Sequence, residues 1–177
     1  MGRLQDFAAC EDLITHLDSE EEVEVRAAHG ALEQITALRL PLSTARWRTW
    51  HQRERQWYLE RAPILLNGLR NPTEKTVLPA LAELARYRYE RHRLALAIAP
   101  VLQHQDPLFA RRACSTLRGL GSPTVVSALV ECLGSGDAAF DEVVCATLRS
   151  LTDLDLPPKA REWELALAAT EGSTGSR

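Results

Sequence analysis

Along most of this chain the apolar residues recur at spacings of three and four: Ala113, Leu117 and Leu120 in one stretch, Val144, Leu148 and Leu151 in another. That spacing gathers them on one face of an α-helix, a face that has to be buried against something. No run alternates like a half-buried strand. The punctuation agrees with helices. Asp106-Pro107 and Ser122-Pro123 each set a capping side chain before a proline suited to the first helical position, and Gly119, Gly121, Gly134 and Gly136 fall where helices are expected to stop. The pattern predicts about ten helices, over 2–17, 22–38, 44–60, 62–70, 74–89, 91–103, 107–119, 123–134, 138–153 and 159–170. Pro79 and Pro100 are expected to kink or begin the helices that hold them. The Gly-Ser-Thr-rich segment 171–177, which has no apolar period, is expected to be a disordered tail.

The chain also repeats itself. Shifted by 116 residues without a gap, Leu13, Leu17, Ser19, Leu32, Thr36, Leu38, Leu40, Pro41 and Trp47 fall on Leu129, Leu133, Ser135, Leu148, Thr152, Leu154, Leu156, Pro157 and Trp163. Background composition predicts roughly two such identities over the same stretch, so chance is a poor explanation. A shift of 31 places Leu102, Asp106, Cys114, Leu117 and Leu120 on Leu133, Asp137, Cys145, Leu148 and Leu151. At a shift of 85, Leu17, Ala28, Leu32 and Ile35 match Leu102, Ala113, Leu117 and Leu120, which makes at least three copies of one unit.

The unit from Asp106 to Gly121, and the extension Leu151-Thr152-Asp153-Leu154-Asp155-Leu156-Pro157 leading to Trp163, resemble bacterial HEAT-repeat proteins, the broad group that includes phycobilisome-lyase-like repeats. The copy Ile35-Thr36-Ala37 to Trp50 resembles the same Leu-Thr-Gly segment and tryptophan-bearing helix. The glycine of that segment is Ala37 in one copy and Asp153 in the other. The resemblance covers about 2–60 and 91–170, with an atypical middle at 62–90. It implies an all-α fold: a right-handed α-solenoid of stacked antiparallel helix pairs, forming one domain over 1–170. It also implies a binding role in general, and no particular ligand.

Charge changes the picture more than composition does. The net charge is −3, but residues 1–24 hold eight acids and one base, residues 25–120 sixteen bases and seven acids, and residues 121–177 four bases and nine acids. A basic middle is flanked by acidic ends, and such local fields guide partners. The acidic run at 18–22 is expected to complement a helix N-terminus. No stretch is apolar and long enough to span a bilayer and no export leader opens the chain, so a cytoplasmic location without membrane contact is expected. Cys10, Cys114, Cys132 and Cys145 lie far apart without a Cys-x-x-Cys pair and read as small buried hydrophobes.

The segment from Arg46 to Arg61 interleaves five arginines with Trp47, Trp50, Trp57 and Tyr58, a composition suited to phosphate pairing and base stacking. The three tryptophans also share roughly one helical face, where they would plug a core. Trp163, in the matching position of a copy without the arginines, favours packing for Trp47. A second basic stretch runs from Arg86 to Arg93. The partner-binding candidates are Arg48, Arg53, Arg55, Trp57, Arg86, Arg88, Arg91, Arg93, Arg111 and Arg112. The five histidines show no metal-binding spacing, and there is no phosphate loop or nucleophile elbow, so neither catalytic residue, metal nor cofactor is expected. The residues point to a non-catalytic protein-interaction scaffold with an acidic partner. The alternative is a nucleic-acid-binding repeat protein using the central Arg/Trp-rich surface.

Overall fold

A computed structural model describes residues 7–70 and 73–174. Those residues are all-helical and contain no strand. They form α1 (Cys10–His16), α2 (Glu22–Thr36), α3 (Thr44–Glu60), α4 (Ala62–Arg70), α5 (Glu74–Leu84), α6 (Arg91–Ile98), α7 (Pro107–Leu120), α8 (Val126–Val130), α9 (Ala138–Thr152) and α10 (Ala160–Thr174). Short 3-10 turns precede α1 at Phe7–Ala9, follow α6 at Ala99–Gln103 and precede α8 at Pro123–Val125.

The 116-residue shift is obeyed by the elements themselves. The turn at Phe7, α1, α2 and α3 begin at residues 7, 10, 22 and 44, and the turn at Pro123, α8, α9 and α10 at 123, 126, 138 and 160. Local chemistry repeats with them. Thr36 Oγ1 donates to Leu32 O at 2.7 Å and accepts from Leu38 N at 3.2 Å. Thr152 Oγ1 does the same with Leu148 O and Leu154 N, at 2.9 and 3.3 Å. This threonine closes the helix from inside, and the next residue, Ala37 or Asp153, turns left-handed at φ 54° and 58°. Both copies therefore keep the turn that the missing glycine would have eased, at a steric cost of about 1 kcal/mol for a side chain there. The shorter shifts hold as well, because α2, α7 and α9 start at residues 22, 107 and 138. Asp106 and Asp137 cap α7 and α9 by accepting from Leu108 N (2.9 Å) and Ala139 N (3.0 Å). Glu22 and Glu24 supply the acidic first turn of α2, where the positive helix end favours them.

Two buried clusters hold the fold. The smaller gathers Phe7, Cys10, Ile14, Leu32, Trp47 and Trp50 from α1 to α3. The larger runs from Ala62 through α5, α6, α7 and α9 to Trp163. α5 packs on α7 and α7 on α9, α1 packs on α2 and α3, and α3 leads into α4. Trp47 and Trp163 occupy matching places, both fully buried. No helix among the described residues is long and apolar enough to cross a membrane.

Several boundaries differ from expectation. The helix expected over 74–89 stops at Leu84, because Glu54 of α3 pulls the following turn onto itself by accepting from Arg88 N and Tyr89 N at 2.8 and 3.3 Å. Pro79 is held inside α5, and Pro100 converts the end of the 91–103 segment into a 3-10 turn. Gly119 lies within α7, which ends at left-handed Gly121. α10 continues to Thr174, into the segment expected to be a tail; residues 175–177, and 2–6 of the first predicted helix, lie outside the described residues.

Candidate functional site

Ser43 caps α3 and orients the arginine- and tryptophan-rich segment so that Trp47, Trp50, His51 and Glu54 face inward. Trp57, one turn further on, is half-buried. Its indole donates to Glu83 Oε1 at 3.1 Å, and its ring stacks on Tyr87 with centroids 3.6 Å apart and planes 5° from parallel. Arg61 forks onto the same carboxylate at 3.1 and 3.3 Å. These donors, Arg61 first, hold the Glu83 carboxyl below the usual carboxylate range. Trp57 therefore ties α3 to the end of α5, and one face of its ring is already covered.

The other candidates separate by what their guanidinium groups meet. Arg48 pairs with Asp18 at 3.8 Å, Arg53 with the buried Glu54 at 3.6 Å, Arg93 with Glu90 at 3.2 Å and Arg111 with Asp137 at 2.9 Å. Arg88 folds back onto the carbonyls of Ala85 and Tyr87. Arg91 is not a surface residue at all: only 4% of it is exposed. Its Nε donates to Ile35 O at 3.1 Å, Nη2 to Gln34 O at 3.4 Å, and Nη1 to Leu120 O at 3.3 Å and to Gly121 O. These carbonyls lie at the C-terminal ends of α2 and α7, where helices leave acceptors unused and the dipole favours a cation. Arg91 is thus a corrected assignment, a joint between the two clusters in place of a partner contact.

Arg55, Arg86 and Arg112 stay exposed, and so does Arg118. Arg86, Arg112 and Arg118 form no ion pair among the described residues. Arg86 sits in the turn that follows α5, while Arg112 and Arg118 lie on α7, about a third of a turn apart around its axis. Thr116 of α7 donates to Leu81 O of α5 at 3.1 Å, and a Cβ on Gly119 would sit 3.7 Å from Ala85 O. Level rises with level, so the two helices run parallel. Arg86 and Arg118 flank the Ala85–Gly119 contact, and Arg112 stands one turn, about 6 Å, below Thr116. No family model, curated protein or solved structure matches the chain. What these residues can do follows from their charges: exposed guanidinium groups on α7 and in the turn after α5 offer rigid forks to carboxylates or phosphates.

Residue-level reading of the sequence missed a buried polar cluster beside Arg91. His92 Nδ1 and Ser122 Oγ share a hydrogen bond of 2.8 Å, and Ser122 Oγ meets Thr124 Oγ1 at 2.7 Å. Ser122 is fully buried and caps the turn at Pro123, so the pair is closed to a substrate. The Ser122-Pro123 cap was legible; its partner 30 residues away was not. Burial, reinforced by the Arg91 charge, pushes His92 down to about 4. The native state keeps this ring neutral while the unfolded chain protonates it near 6.5. Stability is therefore full above pH 6.5 and falls as pH drops toward 4, by at most about 3 kcal/mol. Urea unfolding across that window is expected to show the fall in the wild type and a flatter curve in His92→Gln; equal slopes would show that His92 does not carry it.

Proposed function

We propose that this chain is a HEAT-like helical-repeat module, a right-handed solenoid of stacked helix pairs in one domain, that binds an acidic segment of a protein partner on the face of α5 and α7. The observation that carries this reading is the set of exposed arginines, Arg86 in the turn after α5 and Arg112 and Arg118 on the neighbouring α7, none of them in an ion pair among the described residues. The recurring start of α2, α7 and α9 supports the repeat architecture. The stacked Trp57–Tyr87 pair favours a protein partner over a nucleic acid, since the aromatic platform is already used within the fold.

Pull-down from native lysate, with wild type and with Arg86→Glu/Arg112→Glu/Arg118→Glu as baits of equal unfolding midpoint, tests it. A specific protein retained by the first and lost by the second is expected. Recovery of no specific partner, or recovery indifferent to the reversal, would overturn it. Oligonucleotide binding that weakens with salt at a log–log slope of about −3, matching three released counterions, would replace the protein reading by a nucleic-acid one.

A further inference from the structure

A second surface lies away from the basic face. Two cavities adjoin along α4. The first, about 410 Å³, is walled by Tyr58, Leu59, Pro63 and Leu66, and the second, about 280 Å³, by Leu69, Pro100 and Val101. Leu66 and Arg70 line both, so the two form one cleft between the end of α3, α4 and the 3-10 turn after α6. Its walls are mainly carbon, and Leu59 leaves 58% of its surface in water at the rim. Past Leu59 the surface turns polar, with Gln52, Arg55, Gln56 and Glu60, which bounds the apolar stretch at that end. Arg70, at the junction of the two cavities, is exposed and has neither an ion pair nor a hydrogen bond among the described residues.

The occupant follows from these walls. Helical walls spend their N–H and C=O groups internally, so an extended peptide would find no strand edge to pair with. The nine residues of α4 rise about 13 Å. A docked helix matches that length with apolar side chains at i, i+3 or i+4, and i+7, and a carboxylate beside them meets Arg70. We propose that the α4 cleft docks an acidic amphipathic helix of a partner protein, with leucine-sized side chains in the two cavities and a glutamate or aspartate on Arg70.

The test is fluorescence anisotropy with a labelled 16-residue model helix carrying leucines at i, i+3 and i+7 and glutamates beside them, and with its lysine counterpart. The full chain is expected to bind the glutamate helix saturably. Arg70→Glu, which breaks no hydrogen bond or ion pair among the described residues, is expected to weaken that binding at least fivefold and to favour the lysine helix instead. Leu59→Lys is expected to weaken both, while the triple reversal of Arg86, Arg112 and Arg118 leaves the affinity within twofold, so that this inference and the proposed function fail separately. No saturation by 1 mM peptide, a loss below fivefold in Arg70→Glu, or Arg70-dependent binding of sodium dodecanoate in place of the peptide would each overturn it.

Discussion

Replacing Arg91 with alanine is expected to lower the free energy of unfolding by about 3 to 5 kcal/mol, since it leaves several buried carbonyls without their donor at about 1 to 3 kcal/mol each. The substitution removes one side chain and orphans carbonyls at two helix ends at once, Gln34 and Ile35 of α2, and Leu120 with Gly121 at the end of α7. A buried acceptor left without a donor costs about 1 to 3 kcal/mol, so even partial rescue by water leaves a large loss. Arg91→Met keeps the aliphatic stem and no donor, and should lie close to alanine. Arg91→Lys restores the charge but not the planar fork that reaches both helices, and should recover only part. Gly121 belongs to the same joint: it is left-handed at φ 62°, and a Cβ there would stand 3.5 Å from Arg91 Nη1.

The same substitution is expected to loosen cooperativity. Arg91 joins the small cluster of α1 to α3 to the large one from α4 onward, alongside Glu54, Tyr58 and the Trp57 and Arg61 contacts to Glu83. Urea unfolding of Arg91→Ala, followed by circular dichroism and by tryptophan fluorescence, should give transitions that no longer coincide. Trp47 and Trp50 report on one cluster and Trp163 on the other. A loss below 1 kcal/mol with coincident transitions would show that the helix ends do not depend on this guanidinium.

Trp163→Ala carries the second large effect, about 3 to 5 kcal/mol, as expected for a fully buried aromatic residue cut to a methyl group. The milder change to phenylalanine is more informative, because it separates packing from hydrogen bonding. Trp163 Nε1 donates to Pro157 O at 2.9 Å, whereas Trp47 Nε1, in the matching position, is buried without a partner among the described residues. Phenylalanine at 163 leaves a carbonyl without its donor, while phenylalanine at 47 removes a donor that was never satisfied. Trp163→Phe should therefore cost about 1 kcal/mol more than Trp47→Phe in chemical unfolding. Equal costs, or the reverse order, would show that the indole bond adds nothing.

The surroundings of these twins differ as well. Around Leu40 O the first copy places His29, whose Nε2 lies 2.9 Å away, and around the equivalent Leu156 O the second places Arg149 Nη2 at 3.2 Å. The backbone repeats and the side chains that serve it do not. Identity at nine aligned positions was enough to reveal equivalent layers, because those positions are the leucines, serine, threonine, proline and tryptophan that set helix faces and turns. The residues between them carry the divergence, and with it whatever distinguishes the two halves in binding.

Helix positions, caps and the duplication were legible in the residues alone because each depends on neighbours within one or two turns: an apolar stripe, an aspartate before a proline, a threonine closing a helix. The fate of the charged residues was not, since it depends on contacts between segments distant in sequence. Arg86, Arg88, Arg91 and Arg93 look alike in a row, yet one meets solvent, one folds onto its own turn, one is sealed between helix ends contributed by residues 34–35 and 120–121, and one pairs with a neighbouring glutamate. Trp57 likewise became a structural clasp through Glu83 of α5 and Tyr87 of the turn after it. Periodicity records which side of a helix is oily, and the residues here determined that much. Which polar groups lie beneath a neighbouring helix is decided when the helices pack, because burial and pairing are properties of the space between them.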